Sequence, residues 1–403
     1  MLLKHLSLTN YRNFIRLETE IPADATVLVG ANGQGKTSLL EAIYFLTGAR
    51  PFYAASERQL INFLALEEQQ PFSRLVAEVK SGERIQRIEI RLSLEANGAD
   101  GRNRLKKEVL INGLNRRVAD LASILNAVMF LPRDMEVIEG SPGNRRRFID
   151  ASLSQADPTY AEALAGYGKV IVQRNALLKQ IQERRGPDDQ LEFWDDQLAE
   201  HAAAIVRGRS IALKELNQLA AGIHQELTRG KETLALDYQP SFDPISPGNG
   251  QLGLPMESTL DRTSVSLADV HAGLIQSLRA GRHEDIQRGV TQVGPHRDDL
   301  RFQSNGIDLR HYGSRGQNRT AMLSAKLAEV AWLKDRTGEW PILLLDEVLA
   351  ELDPDRRMML LERVIQVQQS ILTAADLSMF SEAFCEQATI WEIVAGSLSP
   401  WKT

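Results

Sequence analysis

The chain is short of every residue type that would staple it or sink it into lipid. Its only cysteine among 403 residues is Cys385, so no intrachain disulfide forms and a reducing compartment is expected. Cys385 itself reads as a small buried hydrophobe. No apolar run approaches the 18 residues of a membrane span. Met1-Leu2-Leu3-Lys4-His5 begins a polar-interrupted strand rather than the apolar stretch of a signal peptide. A cytoplasmic location with no membrane partner is the expectation. Aromatic residues make up 6% and are not interleaved with Lys and Arg, which argues against a strip for stacking single-stranded bases. The net charge of −6 excludes a molecule coated in positive potential. It leaves room for a local basic patch, which is what sets nucleic-acid affinity.

What is present is more telling. Residues 30–37 read Gly-Ala-Asn-Gly-Gln-Gly-Lys-Thr, a complete G-x-x-x-x-G-K-[ST] loop. The β-branched run Ala25-Thr26-Val27-Leu28-Val29 precedes it. Leu39, Leu40, Ala42, Ile43 and Leu46 follow at helical spacing. Strand, glycine loop and helix form the context in which this motif cradles a triphosphate. The bland alternative, a Gly-rich turn followed by a chance Lys-Thr, loses to those flanks. Gly30, Ala31, Asn32, Gly33, Gln34 and Gly35 would supply backbone N–H groups, with Ser38 just beyond. Lys36 would reach the β- and γ-phosphates, and the Thr37 hydroxyl would ligate Mg²⁺.

The organisation is strand-rich, then helical, then alternating. Leu6 and Leu8, then Ile88, Ile90, Leu92 and Leu94, alternate with polar neighbours as half-buried strands. Asn112-Gly113 between Ile111 and Leu114 is a hairpin turn signal. Residues 95–104 read as a loop. Asp157-Pro158 starts a long helix along Tyr160, Leu164, Tyr167, Ile171, Leu178 and Ile181, ended by Gly186-Pro187. A second helix is expected along Trp194, Leu198, His201 and Ile205, with His201 as a packed core residue. A third follows along Leu213, Leu216, Leu219, Ile223 and Leu227, closed by Gly230. Residues 238–258 are Pro/Gly-rich and read as a surface loop. Another helix is expected over Leu267–Leu278. The expected plan is an α/β domain in two parts, 1–140 and 291–403, around a helical insertion, 141–290.

A second strong signal is Ile342-Leu343-Leu344-Leu345-Asp346-Glu347, an apolar strand ending in two carboxylates. Alone it is equally a strand with an acidic cap. Beside residues 30–37, Asp346 is placed to hold Mg²⁺, directly or through water, and Glu347 to polarise the attacking water. Leu352-Asp353 follows. Upstream, Ser314-Arg315-Gly316-Gln317 opens a helix with Leu323, Leu327 and Val330 on one face, and such a turn offers a hydroxyl and backbone N–H groups to an anion. In this order, the motifs resemble an ABC-type P-loop ATPase head, an α/β fold with an inserted α-helical domain. That resemblance implies ATP held between two copies of the chain, with Ser314, Gly316 and Gln317 acting in trans.

Tyr11-Arg12-Asn13-Phe14 is similar to the opening of RecF and SMC-type heads, which implies that Arg12 and Asn13 belong to the nucleotide site. Further blocks resemble the RecF family: 131–135, 140–150, and above all Gly294-Pro295-His296-Arg297-Asp298-Asp299-Leu300. The similarity runs from residue 1 to about 376. It implies a weak, DNA-stimulated ATPase that dimerises on ATP, binds gapped or junction duplex DNA and helps load RecA with RecR and RecO as partners, tied to the SOS response. An ATPase subunit of another SMC-like DNA complex is the alternative. A transporter subunit is disfavoured by the helical insertion and by the absence of a switch histidine, since Ile371-Leu372-Thr373-Ala374-Ala375-Asp376 offers only Thr373 and Asp376. The lack of a sustained heptad series between Thr37 and Ser314 disfavours a long coiled-coil arm.

The stretch Arg50-Pro51-Phe52-Tyr53 departs from the family's usual Ser-x-Arg. Candidate phosphate contacts for DNA are Arg102, Arg104, Lys106, Lys107, Arg116 and Arg117 around the hairpin, and Arg145, Arg146 and Arg147 at the helical entry. Each such run is more often a solvated face than a DNA contact. The His296–Asp299 block is open between an ion-paired structural turn and a catalytic or interface role.

Overall fold

In the computed structural model, residues 1–49, 51, 56–96, 103–184, 188–245 and 261–401 are described. Arg50, Phe52, Tyr53, Arg102, Gly186, Pro187 and most of the 238–258 loop lie outside them. The chain divides into two units, one of residues 1–134 with 329–403 and one of residues 135–328.

The first unit opens with β1 (Leu2–Tyr11), β2 (Phe14–Glu20) and β3 (Asp24–Val29), followed by α1 (Lys36–Gly48). Next come β4 (Phe72–Ser81), β5 (Arg84–Ala96), β6 (Asn103–Ile111), β7 (Leu114–Arg116) and β8 (Ala127–Phe130). Strands β2-β1-β4-β5-β6-β7 form an antiparallel sheet. The Asn112-Gly113 turn forms as expected, with Ile111 facing Leu114 and φ of 51° and 81°. Glu95 pairs with Arg104, so the ends of the expected 95–104 loop are strand; only the residues between lie outside the described set. The alternation of leucine and isoleucine in β1, β4 and β5 buries one face of this sheet against α1, whose Leu39, Leu40, Ile43 and Leu46 are fully buried.

The second unit is helical at first: α2 (Met135–Glu139), α3 (Pro142–Ala156), α4 (Pro158–Arg184) and α5 (Leu191–Leu227). The two helices expected between residues 194 and 227 are one helix of 37 residues. The apolar stripe looks interrupted at Arg209, yet Arg209 is buried on that same stripe and paired internally. Gly208 is no break either, since a Cβ there would strike the Tyr160 ring at 2.8 Å. After β9 (Leu234–Gln239) comes α6 (Leu267–Arg288), capped by Ser266. β10 (Asp299–Ser304), β11 (Ile307–Asp308) and α7 (Leu309–Tyr312) precede α8 (Arg315–Thr337).

Tyr238, expected in a loop, lies in β9 and pairs with Leu300 of β10. This pairing moves the second boundary from the expected 290 to 328. Residues 299–304 complete a sheet whose other long strand belongs to the helical segment, and Ser324 of α8 meets His224 of α5. The Ser314 turn therefore belongs to the second unit and not to the C-terminal part of the α/β domain.

The chain then returns to the first unit through β12 (Ile342–Asp346), α9 (Pro354–Gln366), β13 (Gln369–Ala374), α10 (Glu382–Gln387), β14 (Thr389–Val394) and β15 (Ser397–Pro400). These strands build the second sheet, β15-β14-β3-β13-β12-β8, parallel except for β15. Its central strands are buried on both faces, which is why they read as continuous apolar runs. The β3 and β12 strands are separated by β13, so the Asp346 strand lies one place away from the strand that feeds the glycine loop. No helix among the described residues is long and apolar enough to cross a membrane.

Candidate nucleotide site

The loop after β3 has the backbone of an anion cradle. Gly33 and Gly35 sit at φ of 82° and 116°, conformations that L side chains rarely adopt. A Cβ on Gly30 would lie 2.5 Å from the Ile393 carbonyl oxygen, and one on Gly35 would lie 2.5 Å from Asn13 Nδ2. The helix α1 starts on left-handed Gly35 with no side-chain cap and no acidic residue in its first turn. Its first N–H groups are thus left for a ligand, with the positive end of the helix dipole behind them.

Two side chains from α1, one charged and one a hydroxyl, meet two carboxylates at the end of β12. Lys36 is 4% exposed; its Nζ donates to the Gly30 and Ala31 carbonyls at 2.6 and 3.2 Å and lies 3.0 Å from Glu347 Oε1. The Thr37 hydroxyl lies 3.0 and 2.9 Å from the two oxygens of buried Asp346. Thr373, on the intervening β13, donates to Asp346 Oδ1 at 2.8 Å and accepts the Glu347 N–H at 3.0 Å. It thereby orients both carboxylate residues, a role its sequence position alone did not reveal. Glu347 has φ 52° and ψ 17°, a left-handed conformation costly for a residue that carries a Cβ. Asp376, the other polar group of that strand's end, is exposed and accepts the Ser378 N–H at 2.8 Å, bonds that hold its carboxyl below the usual range.

These residues fit a magnesium nucleotide. Thr37 and Asp346 offer hard oxygen donors side by side, the kind of partial protein shell that Mg²⁺ completes with phosphate and water. Among the described residues no three His, Cys, Asp or Glu side chains gather as a metal cluster. Thr37 and Asp346 would hold the ion, which would supply charge neutralisation for the phosphates.

Arg12 and Asn13 are placed behind this loop. Arg12 Nε and its terminal nitrogen lie 2.8 and 2.6 Å from Glu41, a buried carboxylate on α1. Asn13 Nδ2 donates to the Gln34 carbonyl at 3.1 Å. Asn62, a residue the motifs did not flag, is buried and donates to the Arg12 carbonyl at 2.7 Å. Its signal is only a polar residue amid Leu60, Ile61, Phe63 and Leu64.

In the second unit Ser314 and Gln317 form a reciprocal capping box at the start of α8. The Gln317 N–H donates to Ser314 Oγ at 3.2 Å and the Ser314 N–H to Gln317 Oε1 at 3.0 Å. Ser314, Arg315 and Gly316 are exposed, so the turn presents a rigid, solvent-facing helix N-terminus.

The basic candidates separate sharply. Arg145 is 2% exposed, bonded to both oxygens of Asp299 at 2.6 and 3.0 Å and to the Ile138 and Gly140 carbonyls. It is a structural cation and not a DNA contact. Lys107 is likewise directed inward, to the Ala49 carbonyl at 2.9 Å and Glu57 at 2.6 Å. Arg146 donates to the Asp298 carbonyl at 2.7 Å and Arg147 to Asn144. Lys106 is half exposed between Glu95 and Glu108, and Arg117 pairs with Asp120. Arg104 and Arg116 are exposed.

The His296–Asp299 block is an ion-paired core. Asp298, 1% exposed, accepts from Arg209 at 2.9 Å, from the Tyr238 hydroxyl and from the Ser241 N–H at 2.8 Å. Arg209 also spans Asp150 at 2.9 and 3.0 Å and the Pro295 carbonyl at 2.8 Å. His296 Nδ1 lies 2.6 Å from the Tyr167 hydroxyl and Nε2 3.0 Å from the Thr291 carbonyl. This arrangement suits the neutral ring, and burial pulls its pKa down to about 4.

The RecF/RecN/SMC N-terminal domain family matches residues 2–394. The DNA replication and repair protein RecF of Shouchella clausii is 36% identical, over 99% of both chains. The chain belongs to the RecF family. The RecF of Roseiflexus castenholzii is 38% identical over 99% of this chain and all of its own. A solved structure of the recombination mediator protein RecF with ATPrS, in the RecFOR pathway, superposes with a TM-score of 0.82 at 29% identity, covering 100% and 98% of the two chains. Its ATP-bound counterpart gives 0.81 at 30% identity, covering 99% and 97%. The RecF fold is thus present from end to end, as an ABC-type ATPase head of mixed α/β sheets with helices.

Proposed function

We propose that this chain is a cytoplasmic, weak ATPase that works as an ATP-gated DNA clamp in recombinational repair and replication restart. The observation that carries the reading is the meeting of Lys36 and Thr37 with Glu347 and Asp346. It combines a phosphate-binding ammonium, a hydroxyl–carboxylate pair for Mg²⁺ and a carboxylate available to polarise water. The names of the relatives support a role in DNA replication and repair, and the RecF structures with ATP support the nucleotide.

On this reading ATP is capped by the Ser314–Gln317 turn of a second copy, so that the homodimer forms on ATP. Duplex DNA at gaps or junctions is held without sequence selection, through phosphate contacts to which Arg104, Lys106, Arg116 and Arg117 contribute. RecO and RecR are the expected partners in assisting RecA loading, within the SOS response. Sedimentation with gapped DNA, with and without ATP, tests this against a Lys36→Met control. ATP-dependent dimers retained on DNA and lost in the variant are expected. A monomer indifferent to both ligands overturns the reading.

A further inference from the structure

We propose that the turn of the C-terminal hairpin, Ala395–Gly396, is a latch on the phosphate loop, linking nucleotide binding to docking of that hairpin through Gln34. The inference rests on the reading of residues 30–37 as the ATP site and adds to it positioning residues 361 places along the chain.

The contacts are specific. Gln34 Oε1 accepts the Ala395 N–H at 2.6 Å, and the Gln34 carbonyl accepts the Gly396 N–H at 3.0 Å. Asn13 Nδ2 donates to that same carbonyl at 3.1 Å. At the entry to the loop, Gly30 has room for no side chain because the Ile393 carbonyl of β14 stands against it. The hairpin therefore grips the loop at its entry and at its middle. Its register is tied to the strand that feeds the loop, with Trp391 opposite Leu28 and Glu392 opposite Val29.

The turn is built for close approach. Ala395 and Gly396 lie at φ of 48° and 77°, the pattern of a two-residue hairpin turn, between paired Val394 and Ser397. A Cβ on Gly396 would sit 3.2 Å from the Asn13 carbonyl oxygen and 3.4 Å from the Phe14 ring.

The consequence for phosphate follows from the planar trans peptide. A carbonyl and the next N–H point in opposite directions. Two donors fixed on the Gln34 carbonyl thus fix the direction of the Gly35 N–H, which faces away from the hairpin and the Asn13 amide. Backbone N–H groups of such a loop are the anion ligands, so the latch sets the aim of one of them. By linkage, a nucleotide that prefers this aim must in turn hold the hairpin more firmly.

Hydrogen exchange on the full chain tests this, with ATPγS and Mg²⁺ as the probe. Slower exchange of the Ala395 and Gly396 amides on adding nucleotide is expected, and no slowing in Lys36→Met. Gln34→Met, which keeps the size and loses the acceptor, should weaken ATPγS binding about fivefold. Its melting temperature without nucleotide should stay within about 2 °C of the parent. Gly396→Ala should weaken binding too, and serves if Gln34→Met does not fold. Unchanged exchange at Ala395 and Gly396 in a protein that calorimetry shows to bind ATPγS overturns the latch and leaves the nucleotide site standing. Gln34→Met binding as tightly as the parent does the same. Failure of the parent chain to bind ATPγS overturns both readings.

Discussion

Two buried cations, Lys36 and Arg209, show how one chain uses the same chemistry for opposite ends. Arg209 lies among Asp150, Asp298 and the Pro295 carbonyl, with all these contacts at 2.8–3.0 Å. Its partners are anchored in turn by Tyr160, Tyr238 and Ser241. Nothing there invites a ligand. Lys36 is equally buried but rests on loop carbonyls and on Glu347, a carboxylate 39% exposed on a strained backbone. The saturated cluster is closed to any further partner, and the one with an open, strained side is the cluster on which the proposed nucleotide site rests. Burial of charge alone does not separate the two; saturation of the partners does.

The comparison can be broken most sharply at Arg209. Arg209→Met leaves Asp150 and Asp298 without their cation in the interior, and the second unit should lose about 3–5 kcal/mol, read by chemical denaturation. A loss under about 1 kcal/mol would mean that the cluster is not the structural pole of this pair. Lys36→Met should leave the unfolding midpoint nearly unchanged while ATP binding disappears. Glu347→Gln should keep ATP binding, slow hydrolysis about a hundredfold or more and trap ATP-bound dimers on DNA; hydrolysis at the parent rate would assign the water-polarising role elsewhere.

The next effect is in pH. The folded pKa of His296, about 4, lies below its unfolded value of about 6.5. As pH falls the unfolded chain takes the proton first, so the stability held above pH 6.5 drains away between about 6.5 and 4, by up to about 3 kcal/mol. His296→Gln should flatten that part of a stability–pH curve measured by urea titration. The smallest effect isolates the strain at Glu347. Glu347→Gly and Glu347→Gln both lose the carboxylate, but only glycine is at ease at φ 52°. The glycine variant should be the more stable by about 1 kcal/mol.

Much of the site was legible because its signals are local. A glycine loop between strand and helix, and an apolar strand ending in Asp346-Glu347, each declare themselves within a dozen residues. The Arg145 run was misread for the complementary reason. A row of arginines looks the same whether it faces solvent or a carboxylate 154 residues away. Likewise the helix expected to end after Ile205 runs on to Leu227 and carries Arg209 inward. Tyr238 was hidden in a Pro/Gly-rich stretch because its strand partner, Leu300 of β10, lies 62 residues on.

By itself, then, the sequence determined the phosphate loop, the apolar strand that ends in Asp346-Glu347, the hairpin at Asn112-Gly113 and the helix that starts at Pro158, all consequences of short-range periodicity and backbone preference. The tertiary structure alone decided that β13 stands between the two motif strands, so that Thr373 joins them. It also decided which cations are consumed in the interior, and that the Ala395–Gly396 turn closes on Gln34. These depend on pairings between segments tens to hundreds of residues apart, and such pairings are set by the packing of whole sheets and helices rather than by any residue's own neighbours.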